Sequence, residues 1–132
     1  MNRRQARKQA FLLIFQYKFQ PDEIDLLLDN FFEENDAGDQ RSYIENVVRG
    51  VASKIEEVDK IISEYSKDWN VDRLSSVSLA VLRLGIYEIL YIDDIPSVVS
   101  VNEAVTLAKE FEGEEAAPFI NGIMDKIKER LS

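Results

Sequence analysis

The feature that most constrains this chain is a run of apolar residues at positions 77–90, with the sequence VSLAVLRLGIYEIL. On a helical wheel its apolar side chains occupy nearly every side, which is typical of a helix that other helices or a membrane surround. The run is shorter than the about 20 apolar residues that cross a bilayer, and Arg83 and Glu88 interrupt it. We therefore expect a central helix buried inside an all-α domain.

The two charges within this run need partners, because an unpaired charge in an apolar interior is strongly destabilising. We interpret Arg83 as a structural residue that ties helices together through a carboxylate or through backbone carbonyls. A catalytic role for Arg83 is the alternative. It is disfavoured because arginine is a poor proton donor at neutral pH.

The composition excludes several classes of chemistry. The chain has 132 residues, which predicts a single domain over residues 1–132. It contains no cysteine and no histidine, so disulfides, thiolate nucleophiles, imidazole bases and the usual zinc sites are excluded. We predict neither a metal ion nor a cofactor. The apolar stretch after the basic start lacks a small-residue cleavage site, so we expect a cytoplasmic protein with no signal peptide and no membrane segment.

The predicted fold is all helix, because prolines and glycines are few and no segment alternates as a half-buried strand does. A polar loop is expected at residues 33–39, and a connector at residues 67–70 in which Trp69 fills the core. Six helices are predicted. The first spans residues 3–19, the second starts at Pro21, the third spans 40–66, the fourth starts at residue 72 or 73 and ends at 91, the fifth spans 98–111 and the sixth 115–131. Asn2 is the expected N-cap of the first helix and Ser97 that of the fifth.

Two details of these helices can be checked directly. Gly50 lies inside the long third helix, where glycine is unfavourable by about 1 kcal/mol relative to alanine, so it is expected to mark a close helix crossing. The fifth helix is expected to bury one apolar stripe at helical spacing, formed by Val98, Val101, Val105 and Ala108.

The charge of the chain is unevenly distributed. The net charge is −9, yet residues 1–20 contain five basic side chains and no acid, which leaves −14 on residues 21–132. The basic residues occupy the first turns of a helix, where they oppose the helix dipole. We infer that they serve a partner at a localised electrostatic site. The alternative is a frayed, solvated basic tail.

Several ordered motifs resemble those of the NusB family of transcription antitermination factors. Each motif alone is weakly specific, but their order and spacing together are highly specific and extend over essentially the whole chain. They are RRQAR at residues 3–7, WNVDRL at 69–74, VLRLGIYE at 81–88, DIP at 94–96, VNEAVTLAK at 101–109 and FINGIMD at 119–125.

This resemblance implies an all-α fold of two three-helix bundles packed around the buried central helix. It also implies a non-enzymatic, RNA-binding role. Family members pair with NusE, a ribosomal protein of the small subunit, and bind the boxA element of nascent RNA. With it they join the antitermination complex on RNA polymerase, notably during transcription of ribosomal RNA.

The resemblance also implies site residues. Four cations should contact RNA phosphates, three aromatic side chains lie at positions where a base could stack, and one acid borders that surface. Two residues align with the face that binds NusE, although Ser78 lacks the acid found there in the family. Any one of the phenylalanines could instead belong to the core. The predicted RNA-binding residues are Arg3, Arg4, Arg7, Lys8, Phe15, Phe111, Glu115 and Phe119, and the predicted partner-binding residues are Asp72 and Ser78.

Two further functions remain open from the sequence. NusB-like domains also occur fused to RNA cytosine methyltransferases, so the chain could be the guiding domain of such an enzyme. It could also be a helical scaffold that binds only proteins. A homodimer that buries the RNA surface is a further possibility that the resemblance suggests.

Overall fold

The computed structural model describes residues 1–66 and 71–131, and this part of the chain is helical, as predicted. The predicted connector at residues 67–70, including Trp69, lies outside the described residues. Three short 3-10 turns lie between the longer helices, at Gly38–Gln40, Val71–Arg73 and Glu114–Ala116. The seven α-helices of the described ranges are α1 Arg3–Phe19, α2 Ile24–Glu34, α3 Arg41–Ser53, α4 Ile55–Tyr65, α5 Ser76–Tyr91, α6 Ser97–Phe111 and α7 Ala117–Leu131.

The apolar run forms α5, and every residue from 78 to 88 is buried. Helices α1, α3, α4, α6 and α7 all pack against it. Helices α1, α2 and α3 also pack on one another, as do α5, α6 and α7. The expectation of two helical groups around a buried central helix is therefore confirmed, with α4 packed on the second group.

The helix predicted at residues 40–66 is two helices, which corrects the sequence-based prediction. Lys54 leaves the helical region with φ −112° and ψ 21°. Its N–H closes α3 by donating to the carbonyl of Gly50, and its own carbonyl accepts the first bond of α4 from Val58. The apolar spacing continues on both sides of the bend, so no pattern in the sequence marks it. The bend lets α3 pack on α1 and α4 pack on α7.

Two helix starts are set by a capping side chain, and a third is not. Asn2 caps α1 as predicted, because its side chain accepts a hydrogen bond from the N–H of Gln5 at 2.8 Å. Helix α5 begins later than predicted, since the Oγ of Ser75 accepts from the N–H of Ser78 at 3.0 Å and ends the preceding turn. Ser97 is the first residue of α6 and not its cap, because Pro96 occupies the N-cap without a side-chain bond.

The predicted stripe on α6 is wrong at its first member. Val98 is 52% exposed, whereas Val101 and Ala108 are buried. Burial along α6 begins at Ser100, so none of the described helices covers this face in the first turn.

Glycine permits one close helix contact in the core. A Cβ atom added to Gly50 on α3 would overlap the ring of Tyr87 on α5. The hydroxyl of Tyr87 donates to the Oδ1 of Asn46 at 2.7 Å, which fixes the ring in place. The predicted close crossing at Gly50 is therefore confirmed.

The two charges of the central helix are both paired, as the sequence requires. Arg83 donates from Nε and Nη2 to the two carboxylate oxygens of Asp59 on α4, at 2.9 and 2.8 Å. This two-bond pair links α5 to α4, so the structural interpretation of Arg83 is confirmed.

Glu88 lies at the centre of a buried polar cluster that joins four helices. Its Oε2 accepts from the Nε of Arg7 on α1 at 2.8 Å and from the hydroxyl of Tyr43 on α3. Its Oε1 accepts from the Oγ of Ser100 on α6 at 2.7 Å, and from the Nη2 of Arg7 at 3.3 Å. Because both oxygens are satisfied by donors from three other helices, Glu88 fixes α1 against the core.

Two members of the cluster, Tyr43 and Arg7, have a raised pKa. Burial is the largest cause that raises the pKa of the Tyr43 hydroxyl, and the neighbouring Glu88 carboxylate raises it further. Burial alone would lower the pKa of Arg7, but its hydrogen bond to Glu88 and the opposite charge raise it above the ordinary value. At neutral pH the cluster therefore holds a charged arginine and a neutral tyrosine around one carboxylate.

We expect Gly50→Ala to lower the free energy of unfolding by about 1–2 kcal/mol, because overpacking against Tyr87 outweighs the gain in helix propensity. Chemical denaturation measures this change. Gly122→Ala is the matched control, since a Cβ there meets nothing within 4 Å; it should stabilise α7 slightly. A Gly50→Ala protein as stable as the unmodified chain would contradict the close crossing.

Glu88→Gln should lower the free energy of unfolding by about 3–5 kcal/mol, because it leaves the buried guanidinium of Arg7 without its counter-charge. The matched control is Glu57→Gln. Glu57 also accepts from a tyrosine hydroxyl, that of Tyr91 at 2.6 Å, but at an exposed site. This control should change stability by less than about 0.5 kcal/mol. Equal effects of the two substitutions would rule out the central role of Glu88.

The raised pKa of Tyr43 predicts a loss of stability in alkali. The unfolded chain releases the Tyr43 proton near pH about 10, whereas the folded chain keeps it to higher pH. The corresponding stabilisation is fully present below pH about 10 and is lost as the pH rises through the folded pKa. Between about pH 8 and about pH 11, the range in which an ordinary tyrosine titrates, the free energy of unfolding should therefore fall less steeply with pH for Tyr43→Phe than for the unmodified chain. Denaturation curves recorded at several pH values measure this dependence. Parallel curves for the two proteins would contradict this assignment.

Candidate nucleic-acid interface

Three of the four predicted basic residues lie on the surface of the first two turns of α1. Arg4 is 71% exposed, and its Nε lies 3.2 Å from Oε1 of Glu103 on α6. The Nζ of Lys8 lies 2.9 Å from Oε1 of Glu110, also on α6. Exposed ion pairs of this kind contribute little stability, so both cations can exchange their carboxylates for another anion.

Arg3 lies on a different side of α1 from Arg4 and Lys8, facing Gln40 and Tyr43 instead of α6. Its Nε donates to the Oε1 of Gln40 at 2.6 Å, and its guanidinium lies over the ring of Tyr43, 4.2 Å from the ring centre. The ring attracts the cation, and Arg3 remains exposed, so its guanidinium can reach a phosphate oxygen.

The structure places the fourth predicted basic residue, Arg7, in the interior. Arg7 is only 5% exposed, and its guanidinium is bound to Glu88 through two nitrogens. The helical repeat places residue 7 on the same side as Ala10 and Ile14, which are buried, so the side chain points into the core. Removing Arg7 from Glu88 to reach a phosphate would leave a buried carboxylate unpaired.

A groove of about 320 Å³ separates the basic turns of α1 from α6. Arg4 and Lys8 line one side, and Glu103, Thr106 and Glu110 line the other. The groove thus has a basic wall and an acidic wall.

The aromatic residues near the basic turns are half-buried rather than wholly in the core. Phe111, at the end of α6, packs on the buried Phe11 with ring centres 4.8 Å apart. The Nζ of Lys8 lies 5.5 Å from the centre of the Phe111 ring. Phe15 contacts Phe19, with ring centres 5.5 Å apart. Phe111 and Phe15 therefore each pack against the core and remain partly accessible to solvent.

A second groove, of about 420 Å³, is lined by three further predicted residues, Glu115, Phe119 and Ser78. Phe119 and Glu115 line one side of it. Arg73 and Ser78, from the region where α5 begins, line the other, together with Glu112 of α6. Because Glu110 borders the first groove and Glu112 the second, the end of α6 lies between the two grooves.

The two predicted partner-binding residues differ in accessibility. Asp72 is exposed in the turn before α5. Ser78 is buried, and its Oγ donates to the Oε2 of Glu112 at 2.6 Å. In this structure the end of α6 therefore covers Ser78 in the first turn of α5.

Sequence reasoning missed the acidic residues that face the basic turns and Arg73 beside the second groove. Glu103 and Glu110 are seven residues apart, so they lie on one face of α6, which was a usable signal. That this face opposes α1 depends on packing and could not be read from the spacing.

Two other classes of site find no support in the described part of the chain. None of its helices is both long and apolar enough to cross a membrane. Within residues 1–66 and 71–131, no three acidic side chains are grouped closely enough to hold a metal ion.

Comparison with known proteins places this architecture among characterised relatives. The chain is 46% identical over 128 residues to the transcription antitermination protein NusB of Acetivibrio thermocellus, covering 96% of this chain and 88% of that protein. It is 42% identical over 137 residues to the NusB protein of Natranaerobius thermophilus, covering 100% of this chain and 98% of that protein. These relatives are named as antitermination proteins and not as enzymes, in agreement with the non-enzymatic prediction.

Solved structures give the same result. The structure of NusB from T. maritima matches with a TM-score of 0.90 and 34% identity, covering 98% of this chain and 92% of that one. A structure of the antitermination factors NusB and NusE in complex with double-stranded RNA matches with a TM-score of 0.86 and 28% identity, covering 98% and 99%. The sequence model of the NusB family matches residues 4–129. The chain therefore belongs to the NusB family.

Proposed function

We propose that this chain is an RNA-binding transcription antitermination factor that pairs with the ribosomal protein NusE. In this proposal the pair binds boxA RNA and joins the antitermination complex on RNA polymerase during transcription of ribosomal RNA. The observation that carries the proposal is the basic face of α1, meaning the surface cations Arg3, Arg4 and Lys8 of its first two turns, with the half-buried Phe111 ring beside Lys8. The solved relative with NusE and RNA supports it. Such a role would place the protein in the cytoplasm.

The basic face would hold the RNA backbone. Phosphate contacts supply affinity and orientation without reading sequence. Arg3 offers a guanidinium that lies over the Tyr43 ring. Arg4 and Lys8 offer cations that form ion pairs at the surface in the free protein. Arg7 supports this face from beneath through Glu88 and is not itself a phosphate ligand.

The aromatic residues would supply base recognition. An unpaired base can stack on a phenylalanine ring, and such stacking is typical of proteins that bind single-stranded RNA. Phe119 lines a groove of about 420 Å³, and Glu115 and Glu112 at its rim can accept hydrogen bonds from base amino groups. Phe111, beside Lys8, and Phe15 are half-buried rings that could add further stacking surfaces.

The partner would contact the region where α5 begins. Asp72 is exposed there, and the residues beyond position 20 carry a net charge of −14, since the whole chain carries −9 and residues 1–20 carry +5. A basic ribosomal protein is electrostatically complementary to such a surface. Ser78 would act indirectly, by holding Glu112 beneath it. A homodimer through the RNA surface would compete with RNA, so concentration-dependent loss of RNA binding would reveal it.

The alternative of a methyltransferase guiding domain is less well supported, because the curated relatives matched over 88–98% of their length are antitermination proteins. The alternative of a scaffold that binds only proteins makes a different prediction. It would retain NusE but give no RNA shift, with or without NusE.

The test is boxA RNA binding, with and without NusE, across several salt concentrations. Each lost phosphate contact on single-stranded RNA flattens the slope of log K against log salt by about 0.7. The triple variant Arg3→Ala, Arg4→Ala and Lys8→Ala should therefore weaken binding and flatten the slope by up to about 2, while circular dichroism stays unchanged.

A charge-matched triple variant provides the control. Arg41→Ala, Arg49→Ala and Lys60→Ala removes three exposed cations from α3 and α4, and it should leave the salt slope nearly unchanged. If the α1 triple variant binds boxA RNA like the unmodified chain, the proposed RNA surface is incorrect.

A further inference from the structure

The basic face of α1 is opposed by acidic side chains in matching register on α6. Arg4 is paired with Glu103, and Lys8 with Glu110. The later residue of α1 therefore pairs with the later residue of α6. The two rows face each other across the groove of about 320 Å³. A phosphate entering this groove therefore meets cations that already hold carboxylates.

The two carboxylates are held differently. Glu103 is 17% exposed and is shared, since the Nη1 of Arg7 lies 3.9 Å from the same Oε1 that pairs with Arg4. Arg7 is in turn fixed by Glu88, so Glu103 is a stationary part of the wall. Glu110 is 48% exposed and pairs with Lys8, itself 43% exposed. This second pair can open without disturbing the core.

Lys8 has a second support that remains when the pair opens. Its ammonium lies over the Phe111 ring, 5.5 Å from the ring centre, and a cation is attracted to an aromatic face. Lys8 can therefore stay at the groove while it exchanges the carboxylate of Glu110 for a phosphate.

We propose that Glu110 is an intramolecular competitor of RNA phosphates for Lys8, and that it thereby lowers the affinity of the basic turns for RNA. The proposal rests on the RNA-binding function proposed above. In the free protein the carboxylate of Glu110 is bound to the ammonium group of Lys8, to which an RNA phosphate would bind. Binding must break the Lys8–Glu110 pair and leave a carboxylate beside the RNA backbone.

The competition makes a prediction that simple charge repulsion does not. Removing the carboxylate abolishes its repulsion of RNA whether or not Lys8 is present. Only when Lys8 is present does the removal also free a cation from its pair. The gain in affinity from Glu110→Gln should therefore be larger in the Lys8 background than in a Lys8→Gln background.

The experiment is a double-mutant cycle with four proteins: the unmodified chain, Glu110→Gln, Lys8→Gln and the double variant. Affinity for boxA RNA is measured in the presence of NusE at one fixed low salt concentration. Glu110→Gln should tighten binding about two- to fivefold, the size expected from an exposed ion pair, and the gain should be smaller with Gln at position 8. Glu64→Gln, at an exposed position on α4, is the charge-matched control and should give a smaller gain than Glu110→Gln.

The outcomes separate this proposal from the function on which it rests. Equal gains in the two backgrounds, or a gain no larger than that of Glu64→Gln, would overturn the competition while leaving RNA binding intact. Failure of both the unmodified chain and Glu110→Gln to bind RNA would overturn the proposed function and the competition with it. A larger gain in the Lys8 background supports the competition.

Discussion

The buried carboxylate of Glu88 is the interaction on which the arrangement of this protein depends. It is almost fully excluded from water and accepts hydrogen bonds from α1, α3 and α6 while lying on α5. Desolvating a carboxylate is unfavourable, and here the loss is offset by an arginine and two hydroxyl donors. Because these donors come from different helices, their relative positions are fixed at one point. The apolar core supplies most of the driving force for folding, and the cluster specifies how α1 lies on it.

The same cluster separates two kinds of ion pair on one helix. Arg7 is committed to Glu88 and is part of the interior. Arg4 and Lys8, at neighbouring positions of α1, hold their partners at the surface, where water screens the attraction. The buried pair therefore keeps α1 in place, and the surface pairs remain exchangeable. A rigid helix with exchangeable cations is suited to binding a phosphate backbone, since little ordering of the protein is then needed on binding.

Helix α6 gives the candidate interface its second component. Its end lies between the groove beside the basic turns and the groove that contains Phe119. It also covers the first turn of α5, where Glu112 accepts a hydrogen bond from Ser78. The acids on α6 thus face both the proposed RNA surface and the region proposed for the protein partner. An interface of this kind combines attraction at the basic turns with repulsion from the acidic body, which confines a polyanion to one end of the molecule.

The sequence by itself determined the all-helical class, the buried central helix at residues 77–90, the need for partners at Arg83 and Glu88, the basic start and the family. These follow from periodicity, composition and motif order, which are properties of the chain alone. The tertiary structure decided which of four similar cations faces the core. Arg7 shares a side of α1 with Ala10 and Ile14, a signal present in the spacing, but only the packing of α5 supplies the carboxylate that makes its burial favourable. The bend at Lys54, the exposure of Val98 and the covering of Ser78 also depended on packing. A helical pattern specifies which side is apolar, but it does not specify which neighbouring helix covers that side or where the cover ends.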